Sequence, residues 1–235
     1  MKKELLHLTI TLALTYMSPA QATELKIATF NVSMEALNYQ SDQSDDPLLA
    51  SATNLKVALE SNHQQIRNIA EIIQRVNPDV ILLNEFDNQQ NSDDNQHETV
   101  KTFIKQYLNK SQNGQSPVNF PYFYQGQVNT GVNSGFDLDG NGKKGMLPGD
   151  GFGYGHFSGH FSMVLLSKYP IESDSIRTFQ YFKWQDMPNA LKPIDPITSQ
   201  SWFSQDAWKN IRLSSKSHWD IPIRVHNKIV HILAS

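Results

Sequence analysis

Between Gln64 and Val76 the apolar residues fall at Ile66, Ile69, Ala70, Ile72, Ile73 and Val76. That three-and-four spacing puts one stripe on a helix and predicts an amphipathic helix over 64–76. Asn77 and Pro78 stop it, because proline biases the residue before it away from helical backbone. The run "DVILL" that follows reads as a buried strand, and it drives directly into Asn84, Glu85 and Asp87. Upstream, "ELKIATFNV" alternates around Leu25, Ile27, Ala28 and Phe30, as a strand of a packed sheet does, and ends in polar Asn31. A strand, a helix and a second strand in that order predict an α/β core.

The polar stretch "SMEALNYQSDQSDDP" between them reads as a loop. A second helix is predicted from about Glu98 to Leu108, with Val100, Phe103, Ile104, Tyr107 and Leu108 on one side. Residues 129–160 form a glycine-rich insert, long enough to serve function or to move. "FSMVLLSKYPI" returns to a buried strand with a proline stop, and "IPIRVHNKIVHILAS" reads as two strands reversing at His226–Lys228. With no repeat and no linker, the chain reads as one domain. Its last strand stops at Ser235 without a closing polar segment, which reads as a domain cut short at its C-terminus.

Composition narrows the chemistry. The chain has 235 residues, a formal charge of −3 and no cysteine. The absence of cysteine excludes disulfides, thiolate metal sites and cysteine nucleophiles. No long Lys/Arg run marks it as a polyanion binder. Lys2 and Lys3, the apolar stretch Leu8–Met17 and "AQA" at Ala20–Ala22 have the three parts of an export signal. Residues 1–22 are therefore expected to be removed, leaving residues 23–235 in the periplasm or outside the cell. The loss of two positive charges and one negative takes the total to −4. Pro19 and Gln21 cut the apolar run short of a membrane span.

Asn31 and Glu85, each expected at a strand end, are the strongest chemical signal. A carboxylate and a carboxamide oxygen are hard ligands suited to Mg²⁺ or Mn²⁺. Each alone is an ordinary turn or surface residue. Together, "IATFNV", "NPDVILLNEFD", "HFSMVLLSKYPI" and "RLSSKSHWDIPI" occur in the order found in the endonuclease/exonuclease/phosphatase family, and from Leu25 to Ser235 the chain resembles an exported bacterial member of it. The resemblance implies a four-layered α/β sandwich, two mixed sheets packed face to face with outer helices, of which only the N-terminal part is present. It implies that Glu85 is the principal metal ligand and that Asn31 helps place metal and phosphate. "SSKSHWD" matches a loop that faces the phosphate in relatives, so Lys216 and His218 either donate to it or face water while Trp219 packs. Relatives continue with a His just after the strand matching "VHILAS", then an Asp-x-Asn pair and a final Asp-His that activates water. None of these follows Ser235 here.

The expected function is a divalent-metal-dependent phosphoester hydrolase, a phosphatase or phosphodiesterase, inactive as this fragment. A secreted nuclease is the first alternative and a non-catalytic binding module on the same fold the second. The acidic charge favours a small or lipid-borne phosphate ester over nucleic acid as substrate, and no protein partner is implied. Other motifs carry less. "DLDGNG" places Asp137, Asp139 and Asn141 at the first, third and fifth positions of a calcium loop. The twelfth position is Pro148, with Asp150 two residues late, so a solvated Asp/Gly turn is favoured over Ca²⁺. His156 and His160 have helical zinc spacing, but Gly155 and Gly159 oppose a helix. Ser162 and Ser167 lack a nucleophile-elbow context, and "GFGYG" lacks the setting of a nucleotide fingerprint.

Overall fold

Helix α2 occupies Gln64–Val76, as the apolar stripe predicts. Ile66, Ile69, Ala70 and Ile73 are buried, while Ile72 and Val76, at the edge of the same stripe, stay exposed. Asn77 ends it in the left-handed region (φ 47°), its N–H bonding the Ile73 carbonyl at 2.8 Å. The computed structural model describes residues 24–40, 50–89 and 97–235. The expected export segment therefore lies outside the described residues, as does the polar stretch 41–49.

Strand β1 (Ile27–Met34) runs parallel to β2 (Val80–Phe86), the α2 crossover lying between them in the chain. Strand β3 (Tyr122–Tyr124) and β4 (Met163–Ser167) complete a mixed sheet of order β1-β2-β4-β3. The second sheet joins β5 (Arg177–Thr178), β6 (Trp219–Val225) and β7 (Lys228–Ala234) in the order β5-β6-β7. Its described pairs are all antiparallel, and β6 and β7 reverse at His226–Asn227. Helix α1 (Asn54–Glu60) packs against α3 (Glu98–Phe103), whose continuation as a π-helical turn (Ile104–Leu108) packs against α2, and α4 (Gln205–Asn210) lies later.

Strand alternation sorts the two cores. Ile81, Leu83, Val164 and Leu166 face Leu55, Leu59, Ile69, Ile73, Phe103 and Tyr107 of the helical layer. Val80, Met163 and Leu165 point the other way, toward Trp219, Ile221 and Ile223 of the second sheet. The layers are helices, mixed sheet, then antiparallel sheet, a mixed α/β fold with two sheets face to face. Among the described residues no helix is long and apolar enough to cross a membrane.

Three expectations need correction. Strand β1 does not end at Asn31; it continues to Met34 through a register break between those residues. The loop after it is not featureless, since Ala36–Tyr39 forms a 3-10 turn capped by the Glu35 carboxylate. The short elements α1, α4, β3 and β5 were not foreseen, because two to seven residues are too few to display a period.

Candidate active site

The register break aims the end of β1 at the end of β2. Asn31 pairs with Asn84 across the two parallel strands. Beyond that pair both chains turn left-handed, Ser33 at φ 47° and Glu85 at φ 56°. Side chains rarely adopt this region, which costs about 1–2 kcal/mol per residue. Such strain persists only where surrounding structure holds it. Here the Ser33 N–H bonds Asn31 Oδ1 at 3.0 Å. The Ser33 carbonyl accepts from Asn38 Nδ2 at 2.8 Å, and its hydroxyl sits 3.5 Å from Asn31 Oδ1 and 3.4 Å from Glu85 Oε2. The half-buried Glu85 carboxylate and the exposed Asn31 carboxamide thus converge on one serine.

After Glu85 the chain is pinned on both sides. Phe86 N–H bonds Ser162 O, Asp87 N–H bonds Met34 O and Asn88 N–H bonds Gly159 O. Asp87 then uses its own carboxylate as a clamp. One oxygen accepts the N–H of Ala36 at 2.7 Å and the other that of Phe161 at 2.8 Å. Burial pushes the Asp87 carboxyl well above its ordinary range, although the two N–H donors and the Lys216 cation oppose that. Lys216 reaches in from the far side and donates to the Phe161 carbonyl. Burial pushes its ammonium below its ordinary value, partly offset by the carboxylates of Glu85 and Asp87. A third layer lies behind: the His160 ring, stacked between Phe157 and Phe161, takes the His156 N–H on Nδ1 and donates from Nε2 to Glu35 at 2.9 Å.

The expected residues are therefore divided among three places. Asn31, Glu85 and Lys216 gather in one corner. His218 sits elsewhere, lining an apolar cleft with Phe179, Trp219 and Leu233. His160 has both nitrogens engaged and no lone pair for zinc. Ser33 and Asp87 belong to the corner and were missed as contributors. Asp87 had appeared only as one of the polar residues closing the strand, and its partners Ala36 and Phe161 are 51 and 74 residues away.

Metal chemistry fits this corner. Its donors are hard oxygens, and the neighbouring Asn84 Oδ1 is buried with no hydrogen-bond partner. A separate acidic group forms in the insert, where Asp137, Asp139 and Asp150 bring ligand oxygens within 4.8 Å of one another. Asn141 stays beside that group, its amide nitrogen donating to Asp139 Oδ2 at 2.9 Å, while its Oδ1 accepts the Lys143 N–H at 2.8 Å. Asp150 takes the third place despite its late position. It is buried and accepts from Leu138 and Met146 N–H. Burial alone would push its carboxyl up, but these N–H donors outweigh that and hold it below the usual range. Asp137, Asp139 and Asp150 are thus a second place in the fold where a divalent ion could be held.

Residues 28–229 match the sequence model of the Endonuclease/Exonuclease/phosphatase family. The chain belongs to that family. It is also similar to a solved endonuclease/exonuclease/phosphatase family protein from Leptotrichia buccalis C-1013-b, at 12% identity and a TM-score of 0.37. That match covers 90% of this chain and 54% of the other, so the chain spans about half the length of the structure it matches. No curated protein matches. The family is one of hydrolases acting on phosphoesters, and its members are typically dependent on divalent metals.

Proposed function

We propose that the corner formed by Asn31, Ser33, Glu85 and Lys216 is the metal- and phosphate-binding part of a divalent-metal-dependent phosphoester hydrolase. The observation that carries the reading is the left-handed Glu85, a carboxylate held in a strained backbone at a strand rim with a desolvated lysine facing it. Glu85, with the Asn31 carboxamide oxygen beside it, would hold Mg²⁺ or Mn²⁺. Bound there, the ion supplies Lewis-acid polarisation of a phosphoryl oxygen. Lys216 would bind the phosphate as a cation, and Ser33 would orient the carboxylate through its hydroxyl. Asp87 acts on position rather than chemistry, because both its oxygens are committed to backbone N–H groups. A base to activate water is not among the groups gathered in this corner of the described residues. We therefore expect residues 1–235 alone to bind metal without turnover.

The substrate proposed is a small or lipid-borne phosphate ester. A net charge of −3 offers no electrostatic footprint for long nucleic acid, whose binding depends on many neutralised phosphates. Tighter binding of duplex DNA than of a small phosphate ester at physiological salt would reverse that preference in favour of the nuclease reading. Export is proposed on the N-terminal signal alone, and is checked by mass spectrometry of the protein recovered from a Gram-negative host. Thr23 at the N-terminus is the expected result, and an intact Met1 in the cytoplasm the contrary one.

The central test is Mn²⁺ binding by isothermal titration. Glu85→Gln should weaken affinity by about 10- to 100-fold while leaving the melting temperature close to that of the parent, since it removes a charged ligand without burying a new charge. Equal affinity in the two proteins would remove Glu85 from the site and leave the binding-module reading in its place.

A further inference from the structure

Four residues before Lys216, on the same segment, stands a second cation with an unusual setting. The Arg212 guanidinium lies 4.0 Å from the ring centre of Phe152 and 4.5 Å from that of Tyr181. Both rings pack against the cation, and its N–H groups are its route to a polar partner. One of them donates to the Oδ1 of Asn129. Asn129 is itself fully buried, and its amide nitrogen is spent on the carbonyls of Gln180 and Ser214. No carboxylate pairs with Arg212 among the described residues. Burial nonetheless pushes the guanidinium below its ordinary value, so a partly desolvated cation stands without a counter-charge.

The same asparagine ties Arg212 to the corner already described. Its backbone N–H bonds the Lys216 carbonyl at 2.7 Å. Arg212 and Lys216 are four residues apart, so their backbones lie within about 14 Å. Arg212 lies against the ring of Phe152 in the insert, and Lys216 donates to the carbonyl of Phe161 directly after it. Tyr154 lies between these in sequence, mostly exposed, its ring centre 6.4 Å from that of Phe161. The floor between them is closely packed. A Cβ on Gly153 would meet the Ser215 carbonyl oxygen at 2.0 Å, so the insert lies directly on the segment carrying both cations.

We infer that Arg212, held against the rings of Phe152 and Tyr181, is an anion-binding subsite for a second phosphate of the substrate, alongside the phosphate held near Lys216. This rests on the hydrolase reading and names its substrate class: a compact ester carrying two phosphates. A planar guanidinium packed on two rings, with one N–H spent on Asn129, keeps further donors for the forked recognition of a phosphate, and a lysine in its place would supply only a point charge.

The test is equilibrium binding, measured by isothermal titration without metal on the full chain. The probes are a hexose bisphosphate carrying phosphates at its two ends and the corresponding monophosphate. The parent protein should bind the bisphosphate at least about tenfold more tightly, the scale of one charge-assisted contact. Arg212→Gln should bind both probes equally. Arg212→Lys retains a cation over the rings, so its melting temperature should stay near that of the parent while most of the preference is lost. Glu85→Gln should keep the preference, which separates failure of this subsite from failure of the metal site. A parent protein without preference, or a preference retained in Arg212→Lys, overturns the inference.

Discussion

Asp87 shows how much one side chain can decide at this site. Its carboxylate closes two backbone N–H groups that belong to chain segments arriving from opposite sides of β2. Replacing it by Ala leaves both donors buried without partners, at a cost of about 1–3 kcal/mol each. Asp87→Ala should therefore lower the melting temperature by several degrees, at roughly 2–4 °C per kcal/mol for a chain of this size. Because Phe161 anchors Lys216, the same variant should also weaken phosphate binding, measurable by titration with inorganic phosphate. A parent-like melting curve for Asp87→Ala would show that these N–H groups find other partners. Glu85 and Asn31 were visible as candidates because an acid and an amide closing apolar strands are chemically conspicuous. Asp87 and Ser33 were not, because their roles depend on backbone groups from distant segments.

At the scale of elements, α2 was predicted to the residue because thirteen positions display the helical period several times over. Burial then separates positions that the period alone groups together. Ile73 is buried, and Ile73→Ala should cost about 2–5 kcal/mol in chemical denaturation. Exposed Ile72→Ala should change stability by no more than about 0.5 kcal/mol. Comparable losses at both positions would mean that the stripe does not face the sheet as described. The glycine-rich insert shows the reverse case. Its sequence carries no period, and its conformation is set by what it lies against: Gly131 (φ 69°) would place a Cβ 1.7 Å from the Phe157 carbonyl oxygen. Gly153→Ala should lift the insert from the 212–216 segment, seen as accelerated proteolysis within 129–160 before any change at β2.

Across the molecule, the two sheets meet through an apolar interior, and charge appears on the far side of β6. Asp220 accepts from Arg177 Nε at 3.0 Å and from His231 Nδ1 at 2.7 Å, joining β5, β6 and β7. The hydrogen bonds from Arg177 and then His231 hold its carboxyl below the usual value. A lowered acid contributes stability above its unfolded value and loses it as pH falls through the folded one. Asp220→Asn should thus destabilise the protein at neutral pH, with the difference from the parent shrinking as pH falls below about 4. A gap that persists in acid would point to packing rather than charge as the role of Asp220.

Local pattern by itself determined the α2 helix, strands β1, β2 and β4 and the closing hairpin, because each shows its period, alternation or apolar run within its own length. It also marked Glu85 and Asn31 as chemistry awaiting a place. Only the tertiary structure decided that Lys216 joins them while His218 does not, and that Asp150 comes to stand beside Asp137 and Asp139 in the insert. The rings around Arg212 were likewise decided there, since Phe152 and Tyr181 reach it from 60 and 31 residues away. The physical reason is one of range. Periodicity is written by neighbours a few residues apart, whereas a site is closed by hydrogen bonds, charges and ring contacts between segments that become neighbours only when the sheets pack.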